Sequence, residues 1–474
     1  MTPQRIDSMN QQTMSAVTPA HVQTRRALLP RTAWGKTLLI PLMLLGSAVL
    51  GVLLLWLVYL LPISPRSQTF QETAAIFQSE GLYPSSMLNN TGATLDNFTD
   101  AIMCNTAVTE VTSPLRDALL NQRSNFGSAD NIQRLQELAA GNTPDALLNY
   151  ARYWNGYLVP LKTEMALGLN ITQIRLLNVT VFACVVLFTG WAALKRAMPE
   201  LLVVLSTLLL VCNTVTLFFS MQYLPCLLIA VLATGVLLLL PNLQTYECLV
   251  AFLVVGIITN YFDFLTAPLL TLGVPLAVVL YRKHRLGESK QLFWTLGTAC
   301  LGWGLGYFGF WVLKWLIGSL GTGVNVFADA SSQAKMRTSD KGSYWDVIRA
   351  NLRIYAPYLA VWLVPTLLVA AAYAIDRIRR RNALQLAGTL PLWTVLTFVA
   401  LLPFLWAAFM TNHLLIHTWM TYRIFALVIC AFQLGVLGLL KPVSPPAQTR
   451  VSATPAPRQN DRTPRSRAAH ARRN

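Results

Sequence analysis

Residues 246–285 read YECLVAFLVVGIITNYFDFLTAPLLTLGVPLAVVLYRKHR: two apolar runs, a short polar break with one acid, and a terminal block of cations. A run that crosses ~30 Å of hydrocarbon as a helix needs about 20 predominantly apolar residues. The two runs here, 246–262 and 265–281, are near that length, and Arg282-Lys283-His284-Arg285 closes the second as a cytoplasmic end would. The same pattern extends in both directions. Further apolar runs fall at 37–61, 173–194, 200–220, 224–240, 291–311, 355–374, 385–410 and 421–440, about ten in all.

Charge assigns the sides. With residue 1 placed in the cytosol, the inner segments hold 23 Lys and Arg against 6 Asp and Glu by count. The outer ones hold 14 against 14, returning the chain totals of 37 and 20. The whole net charge of +17 therefore lies on one face. Arg25-Arg26, Lys195-Arg196 and Arg377-Ile378-Arg379-Arg380-Arg381 repeat the positive-inside signature. The expected class is an all-α polytopic membrane protein of the cell membrane, multi-pass, with about ten transmembrane helices and both termini cytosolic.

A chain with 54% hydrophobic and 12% charged residues is too apolar for a soluble domain. The first run follows about 36 polar residues and is longer than a cleavable signal's 7–15-residue core, so it reads as a retained anchor. The basic balance implies no nucleic acid. It sits in the inner loops and tails, where anionic lipid headgroups are the nearest partner. None of the seven cysteines forms a C-x-x-C pair; unpaired thiols are expected, with a Cys104–Cys226 disulfide as the alternative.

The expected organisation is a cytosolic tail (1–36), a first span (37–61), a large helical outer loop (62–172) and a bundle holding spans two to seven (173–311). An outer loop with an interfacial helix (312–354), spans eight to ten (355–440) and a disordered basic tail (441–474) complete it. Within the large loop, Ser113-Pro114 opens one helix, residues 128–140 form another ending at Gly141, and Thr143-Pro144-Asp145 opens a third running to about Trp154. Trp311 to Ile317 forms an aromatic and apolar stripe suited to an interfacial helix.

Three clusters fall on the outer side. In Asn149–Tyr157, Tyr153, Trp154 and Tyr157 suit stacking on sugar rings, with Arg152 and Asn155 as hydrogen-bond donors; the alternative is an interfacial aromatic belt. In Thr259–Pro268, Asp263 is the only acid between Glu247 and Glu288. An acid near hydrocarbon is a functional candidate, and helix capping is the competing role. In Thr411–Arg423, Asn412, His413 and His417 lie on one short stretch, the two His four residues apart. Neutral imidazoles there suit a polar or phosphate contact, a metal or plain packing, and Arg423 projects about 120° from His417 on a helix. Two His without the Glu of H-E-x-x-H do not complete a metal site, so the metal is unknown, a divalent ion being the candidate cofactor. No P-loop or dinucleotide fingerprint is present.

A first span followed at once by a large helical outer loop, a second outer segment late in the chain and about ten spans resemble the GT-C class of membrane glycosyltransferases. The resemblance implies transfer of a sugar from a polyprenyl-phosphate carrier to an envelope acceptor on the outer face. On that reading Asp263 is general base or metal ligand, His413, His417 and Arg423 hold the carrier phosphate, and Tyr153, Trp154 and Tyr157 stack on the sugar. The family's acid close to the first span has no counterpart in Leu61–Gln68, so that role passes to none of Glu72, Glu80, Asp96 or Asp100. A non-catalytic protein that binds lipid-linked glycan or scaffolds envelope assembly fits the same residues. A transporter or flippase is disfavoured by sparse charge within the spans and by the lack of an internal repeat.

Overall fold

The computed structural model describes residues 32–85, 91–240, 243–338, 342–379 and 386–440; both predicted terminal tails lie almost wholly outside them. The described chain is almost entirely helical. Helix α1 (Ala33–Tyr59) starts with the Thr32 hydroxyl accepting from Gly35 N, and is followed by α2 (Gln68–Glu80), α3 (Asn97–Val108), α4 (Pro114–Leu120), α5 (Asn131–Ala140) and α6 (Leu158–Ala166). Then come α7 (Ile171–Lys195), α8 (Pro199–Val211), α9 (Leu224–Leu239), α10 (Thr245–Phe262), α11 (Leu269–Arg285) and α12 (Leu292–Thr322). The order closes with α13 (Val326–Thr338), α14 (Tyr344–Arg379), α15 (Leu386–Phe409), α16 (Thr411–Ile416), α17 (Thr418–Thr421) and α18 (Ala426–Leu440).

Among the described residues seven helical segments are long and apolar enough to cross a membrane: Ala33–Tyr59, Ile171–Lys195, Met221–Leu239, Thr245–Phe262, Ser289–Thr322, Gly388–Phe409 and Thr418–Leu440. The other three apolar runs are helical as well. They form α8, of only 13 residues, α11, of 17 residues with Arg282, Lys283, His284 and Arg285 in its last turn, and α14, of 36 residues.

Two features of the outer segment depart from expectation. Residues Ala146–Leu148 do not continue a helix opened at Thr143; they form β2, antiparallel to β1 (Arg123–Asn125), with Ser124 opposite Leu147. The turn chemistry of Thr-Pro-Asp admits either outcome, and the strand partner twenty residues upstream decides it. The stripe Trp311–Ile317 is likewise no separate interfacial helix. With no proline and no left-handed glycine before Gly323, which takes φ +75°, α12 runs on for 31 residues, and within the stripe Lys314 is buried while Val312 and Leu316 stay exposed. The expected α5 is present, with Asp130 and Gln133 forming a reciprocal capping box and Gly141 closing it at φ +79°. Helix α4 starts at Pro114 as expected, although Ser113 makes no side-chain cap. Cys104 and Cys226 are separate, buried thiols.

The loops sort to two ends, as consecutive antiparallel spans require. At one end the segments after α1, α8, α10, α12 and α15 touch one another. Asp100 accepts from Met221 N at 2.9 Å, Thr266 Oγ1 donates to Gln222 O at 3.4 Å, and Asn412 Nδ2 donates to Met336 O at 2.6 Å. At the other end Arg282 donates to Leu238 O, Lys283 pairs with Glu288 at 2.8 Å, and the Lys36 ammonium lies 5.3 Å from the centre of the Tyr246 ring.

The tightest helix contact joins α10 and α12. A Cβ at Gly256 would meet Trp303 O at 2.3 Å, one at Gly302 would meet Leu249 O at 2.2 Å, and one at Gly306 would meet Leu253 O at 2.2 Å. Gly302 and Gly306 are a G-x-x-x-G pair, the spacing that lets membrane helices pack backbone on backbone. This contact fixes the middle of α12, and the stretch from Cys300 to Trp315 carries one wall of the site.

Candidate functional site

A cavity of about 590 Å³ opens between α11, α12, α13 and α15. Its walls are Leu269 and Leu272 from α11, Trp303, Phe308 and Trp311 from α12, and Leu402, Leu405, Trp406 and Phe409 from α15. Polar groups gather at one end only, where Arg152, Gln333, Arg337 and Thr338 form the rim. That rim lies at the end of the bundle where the long segment between α1 and α7 meets α13. An apolar slot within the bundle, finished by guanidiniums at its mouth, matches an acyl or isoprenoid chain carrying an anionic head.

Each rim cation is positioned by aromatic faces. Arg152 lies 4.6 Å from the centre of the Tyr150 ring and pairs with Asp329 of α13 at 3.2 Å. Arg337 sits 5.5 Å from the centre of the Tyr153 ring and donates to the Tyr153 hydroxyl. The ion pairs among the described residues give Arg337 no carboxylate, so its remaining donors are the natural partners of an added anion.

The histidines stand beside this mouth. His413 Nε2 lies 3.0 Å from Leu265 O; a carbonyl only accepts, so Nε2 carries the proton and Nδ1 keeps its lone pair. That Nδ1 and the Nδ1 of His417 are both buried without a hydrogen-bond partner among the described residues. Burial, joined by the neighbouring His417 and Arg337 charges, holds His413 well below the usual imidazole range. Burial, then Arg337, lowers His417 to about 4. Both rings, with centroids 4.9 Å apart, are therefore neutral near pH 7. A neutral His413 offers its Nδ1 as an acceptor for a hydroxyl, not as a cation for a phosphate. Among the described residues no group of three or more His, Cys, Asp and Glu converges as a metal would need.

Asp263 ends α10, one residue before the left-handed turn whose Leu265 carbonyl holds His413 (Leu265 φ +66°). The segment 263–265 thus joins the acid and the histidine into one neighbourhood. The carboxylate is heavily engaged, accepting from Leu265 N at 2.8 Å and Thr266 N at 3.1 Å, with the Cys226 thiol at 3.1 Å. Burial raises it to about 6. Those bonds form an Asx turn over 263–266 and do not cap α11, which starts at Leu269 behind Pro268 with no side-chain cap, so the expected capping role is not the one observed.

Other candidates have structural surroundings. Trp154 is fully buried, stacked on Phe310 at 4.4 Å and donating to Phe310 O at 2.9 Å, so its faces are closed to a sugar. Tyr157 is buried against Phe264 at 4.8 Å, and Tyr153 lies between Trp311, 5.9 Å away, and Phe264, 5.3 Å away. The aromatic cluster is thus a packed seam between α12 and the segment joining α1 to α7; of Tyr153, Trp154 and Tyr157, Tyr153 meets Arg337 at the rim. Asn155 takes φ +57° and donates to Tyr150 O and Tyr153 O, shaping that seam. Asn412 ties α16 to α13.

Arg423 is displaced from the role the resemblance gave it. It is 1% exposed, and its donors reach Cys212 O, Trp419 O, Met420 O and Thr216 Oγ1 at 2.9–3.2 Å. A guanidinium so filled fastens the turn after α8 to the turn before α18 and has little left for a phosphate.

Arg337 was not singled out from the sequence. Its signal was present as a cation late in an outer segment, but nothing local shows that it meets Tyr153, 184 residues away. Asp96 and Asp100 are also fully buried, with burial raising Asp100 to about 7. Asp96 accepts from the Gln222 side chain, while Gln222 O accepts from Thr266, so these acids border the Asp263 turn.

No known family model, no curated protein and no solved structure matches this chain.

Proposed function

We propose that the chain is a cell-membrane protein of about ten spans with cytosolic termini, whose groove holds the apolar chain and phosphate of a lipid-linked sugar on the outer face. The groove with its two rim arginines is the observation that carries this reading. A lipid chain leaves hydrocarbon to enter it, so apolar burial contributes only packing. Selectivity must come from the head, where each charge-assisted hydrogen bond contributes about 1.5–3 kcal/mol. The resemblance to the GT-C class read from the sequence extends this proposal to transfer of that sugar to an envelope acceptor, with Asp263 as the proton acceptor. A non-catalytic carrier-binding protein is the second reading, and the three partners already held by the Asp263 carboxylate favour it.

Affinity for a polyprenyl phosphate, read by native mass spectrometry of the detergent-purified protein, tests the site. Arg337→Gln is expected to weaken binding about 30-fold, the equivalent of about 2 kcal/mol. Undiminished binding would remove the groove from the account.

Asp263→Asn distinguishes the two readings. The Asn side-chain oxygen can accept from the same turn N–H groups as Asp but takes no proton under these conditions. The variant is expected to reach the surface and to fail to restore an envelope-glycan defect. Full restoration would leave the carrier-binding protein as the function.

Sidedness follows from charge and from the sorting of loops to two ends. In a background lacking the native cysteines, a cysteine at exposed Ser85 is expected to react with an impermeant maleimide in intact cells, and one at exposed Lys290 is not. The opposite labelling would reverse the topology.

A further inference from the structure

A second cleft, of about 690 Å³, lies in the outer segment between the exit of α1 (Leu61–Arg66), the end of α3 (Val108–Thr112), the turn after α5 (Gly141–Pro144) and α6. It shares no lining residue with the groove. Its character is also different, since Ser64, Thr109, Thr112, Asn142 and Thr143 bring hydroxyls and an amide to the walls.

Lys162 lines this cleft while being 1% exposed. Its ammonium donates to Ala107 O at 2.5 Å and lies 4.7 Å from the centre of the Tyr59 ring. Those contacts use one of three N–H donors and supply no negative charge. The ion pairs among the described residues give Lys162 no carboxylate. A methionine would fill the same channel without desolvating a charge, so the ammonium is costly unless an anion reaches it. Burial alone pulls it down to about 8, which leaves it mostly protonated near neutral pH. Arg66, which donates to Gly141 O at 3.1 Å, adds a second cation at the exposed edge, and Glu110 subtracts one. One excess positive charge among hydroxyl-bearing walls specifies the ligand.

We propose that this cleft binds a hydroxyl-rich ligand of one- or two-sugar size bearing a single oxyanion, which the Lys162 ammonium receives. The volume lies within the ordinary range for small-ligand sites, about 300–1,000 Å³. The anion is a sugar carboxylate or a phosphate ester; the shared chemistry is an oxyanion on a polyol. The inference does not rest on the lipid groove, and failure of carrier binding leaves it standing.

The test uses the full-length protein in detergent with three probes: glucuronate, glucose 6-phosphate and glucose, titrated by saturation-transfer NMR. At least one anionic probe is expected to bind with Kd near or below ~1 mM, and glucose about tenfold or more weaker. Which anion binds more tightly assigns the source. Lys162→Met is expected to lose tenfold or more, Lys162→Arg to retain binding, and Arg337→Gln to leave it unchanged. If Lys162→Met does not fold, Thr143→Trp, at an exposed wall position, is expected to block the same binding. Equal binding of glucose and both anions, wild-type affinity in Lys162→Met or Thr143→Trp, or no anionic binding below ~10 mM would each overturn the site.

Discussion

Gly306→Ala is expected to lower the melting temperature of the purified protein sharply, although it adds a single methyl group. The added Cβ would stand 2.2 Å from Leu253 O and 3.0 Å from Ile257 N, and ordinary contact begins at 3.4 Å. Both obstacles are backbone, so no side chain can rotate away. Helices α10 and α12 must separate by about 1.2 Å, the difference between those distances. Overpacking of this kind costs about 1–3 kcal/mol, and the separation also opens the contacts at Gly256 and Gly302. Gly304, on the same helix, has nothing within 4 Å of its would-be Cβ and supplies the control. Gly304→Ala is expected to melt at or slightly above the wild-type temperature, because Ala is the better helix former. Equal melting of both variants in a fluorescence-detected thermal scan would rule out the close approach of these helices.

Arg423→Met is expected to destabilise the protein with no ligand present, each buried acceptor left without its donor costing about 1–3 kcal/mol. The loss arises from the acceptors left behind. Cys212 O, Trp419 O and Met420 O would each lose a charge-assisted donor inside the bundle, and Tyr223 and Tyr422 would lose the cation 4.2 and 4.9 Å from their ring centres. Arg423→Lys keeps the charge but not the planar fork, and is expected to recover only part of the loss. A phosphate ligand would behave in the opposite way, with normal melting of the ligand-free variant and weakened carrier binding. That profile is the one expected of Arg337→Gln. Comparing the two variants in both assays therefore separates the cation that holds the bundle from the cation that faces the groove. Wild-type melting of Arg423→Met would return Arg423 to the ligand site.

Features governed by near neighbours in the chain were legible without coordinates. The apolar runs set the helices, because the backbone must satisfy its hydrogen bonds within each segment once it leaves water. Asp130 and Gln133 announced the start of α5, and Gly141 its end, through bonds spanning three or four residues. The G-x-x-x-G of Gly302 and Gly306 was equally readable, and only its partner Gly256 was not. The strand at Ala146–Leu148 escaped because its stability lies in pairing with Arg123–Asn125, a long-range event. Site chemistry escaped for the same reason. An aromatic belt, a sugar platform and a buried seam share one composition at Tyr153, Trp154 and Tyr157, and only the arrival of Phe310, Phe264 and Trp311 decides among them. Arg423 and Arg337 are both cations near the same end of the helical bundle. Which one is consumed by carbonyls and which is left facing a cavity depends on helices hundreds of residues apart, brought together by packing energies that leave no local trace in the sequence.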